Sequence, residues 1–149
     1  MIERREKRIG KTTYKVEQFG AKQGRLVLFR LFRLLGPAMS ALAEGGDPGD
    51  MIGRALRRFA ESANESDFDS LCEAFAAKTK VVHEATTAGG TVGVDLDLAA
   101  DFDSHFANNY GEMLQWLAFA IEANYASFLG ENGAALEKLG ASLGKTKSA

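Results

Sequence analysis

The sequence predicts an α+β fold, mostly a helical bundle with a small antiparallel sheet made of a hairpin plus an N-terminal strand. Three observations carry that expectation. Apolar residues recur at helical spacing over several long segments, as a helix with one buried face requires. Two β-branched runs flank a glycine-bearing loop, the pattern of a hairpin. A short alternating stretch near the N-terminus supplies a further strand that can join it.

That stretch is Lys11 to Phe19, with Thr12, Tyr14 and Val16 on one side, Thr13, Lys15 and Glu17 on the other, and Gly20 ending it. From Ala21 to Leu35 the run AKQGRLVLFRLFRLL is helical in length and propensity, and Gly36-Pro37 is expected to stop or sharply bend it. Pro37 suits the first turn of a following short helix, Ala38 to Glu44. The glycines and proline of Glu44 to Gly49 make the clearest loop, with a helix restarting near Asp50. Within Met51 to Ala63, Ile52, Ala55, Leu56, Phe59, Ala60 and Ala63 form an apolar stripe that leaves Arg54, Arg57 and Arg58 largely outside it.

Ser66 to Asp69 reads as a loose capping box opening a helix with the stripe Phe68, Leu71, Cys72, Phe75 and Ala76, ending near Lys78. Thr79 to Glu84 and Thr91 to Leu96 then form the hairpin strands, with Thr86 to Gly90 as a longer loop. The last element is expected as one long helix, about Ser104 to Leu129. Phe106, Tyr110, Met113, Leu114, Leu117, Ile121, Tyr125 and Phe128 lie on one face, and a second stripe runs through Trp116, Phe119, Ala120 and Ala123.

Length and composition suit this plan. A chain of 149 residues with 46% hydrophobic and 26% charged residues can bury a core without disulfides or metals. The expected organisation is a charged N-terminal arm at 1–10, a single domain over 11–130 and a flexible Ala/Gly/Lys-rich C-terminal tail at 131–149. Cys72 is the sole cysteine, and no apolar run of signal-peptide length follows Met1, so an intracellular setting is expected. The most apolar stretch, Leu26 to Leu35, is interrupted by Arg30 and Arg33 and falls short of the ~20 residues that span a bilayer; no membrane helix is expected.

Net charge is −2, but residues 1–36 hold ten Lys/Arg against three Asp/Glu while residues 37–149 hold eight against seventeen. Such a charge dipole favours pairing within the chain or between copies over nucleic-acid binding. The basic segment also lacks the solvent-facing aromatic pattern of a single-strand-binding surface. A nucleic-acid-associated accessory role, using this basic N-terminal quarter, is the alternative reading.

No catalytic constellation stands out. His83 and His105 have no nucleophile elbow beside them, and Cys72 lies on an apolar stripe where a thiol acts as a small core hydrophobe. The string Asp95 to His105 lacks the turn glycine and terminal glutamate of an EF-hand, and Asp101, Asp103 and Ser104 suit a helix N-terminus instead. Gly89-Gly90 lies between strands with no Lys-Ser/Thr after it, unlike a phosphate loop. No catalytic residue, metal ligand or cofactor is therefore assigned.

What is unusual is the amount of apolar helix surface. Val27, Leu28, Leu31, Phe32, Leu34 and Leu35 cover a broad face of the Ala21–Leu35 helix, and Leu26 and Phe29 fall among its cations. The last helix has the same surplus. A lone domain has room to enclose few such helices, which points to an oligomer or an apolar protein partner.

The order of these features resembles the tail assembly chaperones of long-tailed phages. The likeness is carried by the strand TTYKVEQFGA, the helix GRLVLFRLFRLLGPAMSAL with Leu35-Gly36-Pro37, and the segment DFDSHFANNYGEMLQWLAFAIEANYASFLG with Trp116, Asn124, Tyr125 and Phe128. The resemblance implies a non-enzymatic protein of the host cytoplasm, left out of the mature virion. It would bind the long, aggregation-prone tape measure protein, help recruit tail tube protein, and self-associate along its client. The surplus apolar positions then become the expected contact residues: Leu26, Phe29 and Phe32 on the first long helix, Trp116, Phe119 and Tyr125 on the last.

Overall fold

A computed structural model describes residues 2–129, leaving aside the side chains of residues 84–87, 91, 92 and 127–129. The elements run β1 (Arg4–Ile9), β2 (Thr12–Glu17), α1 (Ala21–Ala43), α2 (Pro48–Ser62), α3 (Glu65–Ala76), β3 (Thr79–Thr87), β4 (Gly90–Asp97), α4 (Leu98–Phe106) and α5 (Tyr110–Leu129). The architecture is α+β, with five helices and a four-stranded antiparallel sheet among the described residues. The chain forms two compact units: residues 20–74 make one, and the flanking segments before and after them make the other. The expected tail, 131–149, lies outside the described residues.

The unit built from the flanking segments holds the sheet, in the order β1-β2-β3-β4. β2 follows the period-two rule. Tyr14 and Val16 of β2 lie opposite Val81 and Thr79 of β3, and all four are buried. The intervening residues carry the polar face, where Lys15 Nζ reaches Asp95 Oδ2 at 3.3 Å. Within the expected arm, residues 4–9 form β1 and pair with β2 from Arg4↔Glu17 to Ile9↔Thr12. Its alternation is invisible in the sequence because an edge strand tolerates charge on both faces, and only Ile9 is buried.

The hairpin is tighter than expected. β3 and β4 stay paired out to Thr87↔Gly90, so Ala88 and Gly89 alone make the turn and Gly90 takes a φ of 118°. The single long C-terminal helix is also corrected, into α4 and α5. Asn108 adopts a φ of 58° between them, and Asn109 Nδ2 donates to Glu112 Oε2 at 2.8 Å inside the first turn of α5. Asp97 occupies the α4 N-cap position and Asp101 lies in the first turn of α4, at a kink, so Asp101 sits at a helix N-terminus as expected while Asp103 and Ser104 lie within the helix.

In the other unit α1 runs unbroken through Gly36 and Pro37 to Ala43, against the expected stop and short second helix. An interior proline costs roughly 3 kcal/mol of helix stability. Here the residues beyond it repay the extension by packing: Ala38 and Ala41 meet Ala55 of α2 in a buried cluster flanked by Leu42 and Phe59. Beside it, Arg54 and Arg58 of α2 both reach the Glu44 carboxylate. The α3 cap is corrected as well, two residues earlier than expected. Asn64 Oδ1, not Ser66, accepts the amide hydrogens of Ser66 at 2.9 Å and Asp67 at 3.4 Å, the second and third N–H groups of the helix.

The longer α1 also changes the membrane argument. By length and composition it is the one described helix able to cross a membrane, a possibility the expected stop at Gly36 had removed. Against that, Val27, Leu31, Leu34, Ala38 and Ala41 form a buried face, and Arg30 and Arg33 lie at mid-helix. A cation at a bilayer centre costs about 2.5–3.5 kcal/mol on insertion scales. The helix is therefore read as a core element of its own unit.

Candidate functional site

The structure separates the six expected contact residues into two groups. On α1, Leu26, Phe29 and Phe32 are 53%, 66% and 46% exposed. Their spacing of three residues winds them along one side of the helix, across from Val27, Leu31 and Leu34. Lys22, Arg25 and Arg33 share the exposed side, so the surface is a line of large apolar groups edged by cations. Arg33 pairs with Asp67 of α3 at 3.0 Å.

On α5, Trp116, Phe119 and Tyr125 are 0%, 8% and 7% exposed, so these three positions are interior. The Trp116 ring packs against Phe102 and Phe106 of α4, and its Nε1 donates to Thr79 Oγ1 at 3.1 Å. Thr79 in turn donates to the Phe75 carbonyl, so its buried hydroxyl is satisfied. The Phe119 ring lies under Lys7 Nζ of β1 at 5.9 Å. Burial pushes the Tyr125 hydroxyl pKa up to about 12. No residue from Gly111 to Ala126 is exposed, because the helix is covered on several sides, as its double stripe implied.

Asn124, one of the residues that carried the resemblance, is a clasp. Its Oδ1 accepts the Phe19 amide at 2.8 Å, while Gln18 Nε2 donates to the Ala123 carbonyl at 2.9 Å, tying the end of β2 to α5. A polar side chain on an otherwise apolar stripe was the available signal, though its partner 105 residues away was not.

A buried polar network that sequence reasoning missed joins β2, α4 and α5. Tyr14 is fully buried, and its Oη lies 2.7 Å from His105 Nε2 and 3.0 Å from Glu112 Oε2. Tyr14 has one hydroxyl proton and donates it to Glu112, so His105 Nε2 must itself donate to Tyr14. Burial raises the Tyr14 pKa far above its ordinary value, with Glu112 adding to the shift. Burial lowers the His105 pKa, Glu112 opposes it, His83 adds to it and Asp101 opposes it. The arrangement locks three elements together; it does not present a nucleophile to an open cleft. Among the described residues no three His, Cys, Asp or Glu side chains converge as metal ligands would.

Alongside the α1 face, the same unit has an open concavity of about 390 Å³ lined by Phe59, Ala63, Asn64, Glu65, Phe68 and Asp69. The Phe59 and Phe68 rings meet edge-on there, 6.3 Å apart. The unit thus exposes large apolar side chains set among charged ones, a surface suited to another protein's side chains.

No curated protein and no solved structure matches the chain. A family model described as phage tail assembly chaperone protein, TAC, matches residues 10–137, which takes in β2 and every element after it. The chain therefore belongs to the phage tail assembly chaperone family.

Proposed function

We propose that this chaperone binds the tape measure protein in the host cytoplasm by laying the Leu26-Phe29-Phe32 line of α1 against an apolar helix of that client. It keeps the client soluble, helps recruit tail tube protein, and is absent from the finished virion. The observation that supports the reading is the exposure of three large apolar side chains in register along one helix of a family member. Helix-on-helix docking uses anchors at this spacing. Completing the burial of each half-exposed side chain contributes roughly 1 kcal/mol, a fraction of the 1.5–3 kcal/mol of full burial. The flanking Lys22 and Arg25 favour a client helix with acidic residues beside its apolar stripe.

Co-expression with the tape measure protein of the same phage tests this. The client is expected in the soluble fraction as a complex, and a Phe29→Asp variant is expected to return it to the pellet. A client that stays insoluble with the wild-type chain present, or is soluble without it, refutes the proposal.

A further inference from the structure

Between α2 and α3 the chain turns through Ala63 and Asn64 alone. Ala63 takes an extended backbone, with φ −68° and ψ 131°, and the Asn64 side chain caps the helix that follows. The hollow of about 390 Å³ opens at this corner. A sphere of that volume is about 9 Å across, narrower than the roughly 10–12 Å of a helix with its side chains. It therefore admits a large side chain and not a whole helix.

The hollow joins an apolar lining to a negative rim. Phe59, Ala63 and Phe68 supply the lining. Glu65 and Asp69 are both exposed, and among the described residues neither is in a salt bridge, whereas the neighbouring Asp67 is taken by Arg33 of α1. The last turn of α2 holds Glu61 and no basic residue, so the negative pole of that helix is left unopposed. The positive pole of α3 is met by Glu65, Asp67 and the Asn64 cap. A phosphate or carboxylate is repelled here and a cation is attracted.

The lining selects among cations. An ammonium is compact and strongly hydrated, while a guanidinium is planar and weakly hydrated, stacks on aromatic rings and forks onto carboxylates. Leading to the hollow, Leu56 and Ala60 are exposed on α2, and Ala63 continues them at the spacing of one helix side. That strip suits apolar residues on either side of the cation.

We infer that this hollow is a docking site for an arginine set among apolar residues on another protein. The guanidinium lies against the Phe59 and Phe68 rings and pairs with Glu65 and Asp69, and its apolar neighbours cover the strip from Leu56 to Ala63. The site uses none of the Leu26-Phe29-Phe32 line and selects the opposite charge, so it goes beyond the proposed function and is tested without the client.

The probe is a short fluorescein-labelled peptide, rich in leucine with one central arginine, followed by fluorescence anisotropy. Twin peptides carry lysine or glutamate in place of the arginine. The full-length chain carries Phe29→Asp throughout, which silences the α1 line. The arginine peptide is expected to bind saturably, the lysine peptide about tenfold more weakly, and the glutamate peptide not at all. Adding Glu65→Lys with Asp69→Lys is expected to abolish binding. Should that variant lose its far-ultraviolet circular dichroism, the uncharged pair Glu65→Gln with Asp69→Asn decides, with a loss of about tenfold expected. Three results would overturn the inference: no binding of the arginine peptide, as when a second copy already fills the hollow; equal binding of all three peptides, which marks a merely sticky surface; or unchanged binding by folded variants at positions 65 and 69.

Discussion

Phe29 and Trp116 are both large aromatics on apolar helices, and the structure gives their removal opposite consequences. Phe29 is 66% exposed and Trp116 is 0% exposed. Full burial of a phenylalanine side chain stabilises by roughly 1.5–3 kcal/mol, so about a third of that, ~0.5–1 kcal/mol, is at stake in Phe29→Ala. Alanine's better helix propensity returns about half a kcal/mol. The net change is then near zero, and the melting temperature should move by no more than about 2 °C. Trp116→Ala removes a buried ring and leaves the Thr79 hydroxyl without its indole donor, for a loss of about 3–5 kcal/mol and some 6–20 °C. Affinity for the client should order the two the other way. Loss of a central aromatic anchor at position 29 costs about 2 kcal/mol or more, near 30-fold, while Trp116→Ala binds normally below its melting point. Thermal melts followed by circular dichroism, with titration against a client helix, measure both. If Phe29→Ala melted as early as Trp116→Ala, or bound the client with unchanged affinity, the separation into a gripping helix and a buried helix would be refuted.

Tyr14→Phe keeps the ring and deletes the hydroxyl that His105 and Glu112 share, leaving both short of a partner; the urea midpoint should fall by the equivalent of about 1–3 kcal/mol with an unchanged slope. The lowered His105 pKa means the unfolded chain binds more protons than the folded one below about pH 6.5. That contribution is present above pH 6.5 and lost as pH falls toward the folded value, so melts between pH 5 and 7 should show a slope that His105→Gln flattens; an equal slope in the variant would remove His105 as its source. Burial, with Asp69 and Glu73 adding to it, pushes the Cys72 thiol up to about 12, so a thiol reagent at pH 8 should label it only on unfolding, and rapid labelling of the native chain would contradict its burial.

The sequence was most readable where one physical rule acted alone. The stripe of α2, the alternation of β2 and the double stripe of α5 follow from side chains that need a core on a fixed period. It misled where two rules competed. Pro37 should end a helix, yet Ala38 and Ala41 bury well enough against Ala55 to carry α1 past it. Apolar periodicity ran on through Phe106 and Tyr110, while the break between them rests on Asn108 adopting a left-handed backbone, which asparagine permits without requiring. β1 was hidden because its charges report solvent and not pairing. For the contact residues, composition marked six apolar positions, but only the packing of α4 and β3 around Trp116 distinguishes interior from surface. The Tyr14, His105 and Glu112 network joins residues about ninety positions apart, a distance over which spacing carries no information.

Strand order sets a timetable for synthesis. Val16 pairs with Thr79, and the Phe19 and Phe75 rings stand 5.1 Å apart where the backbone departs for its excursion and comes back. At roughly 5–20 residues per second, a ribosome spends several seconds on that excursion. Throughout it the first hairpin holds Tyr14 and Val16 ready with nothing to lie against. The nascent chain is therefore itself a sticky client for a while, and its safe completion depends on how quickly the third strand arrives.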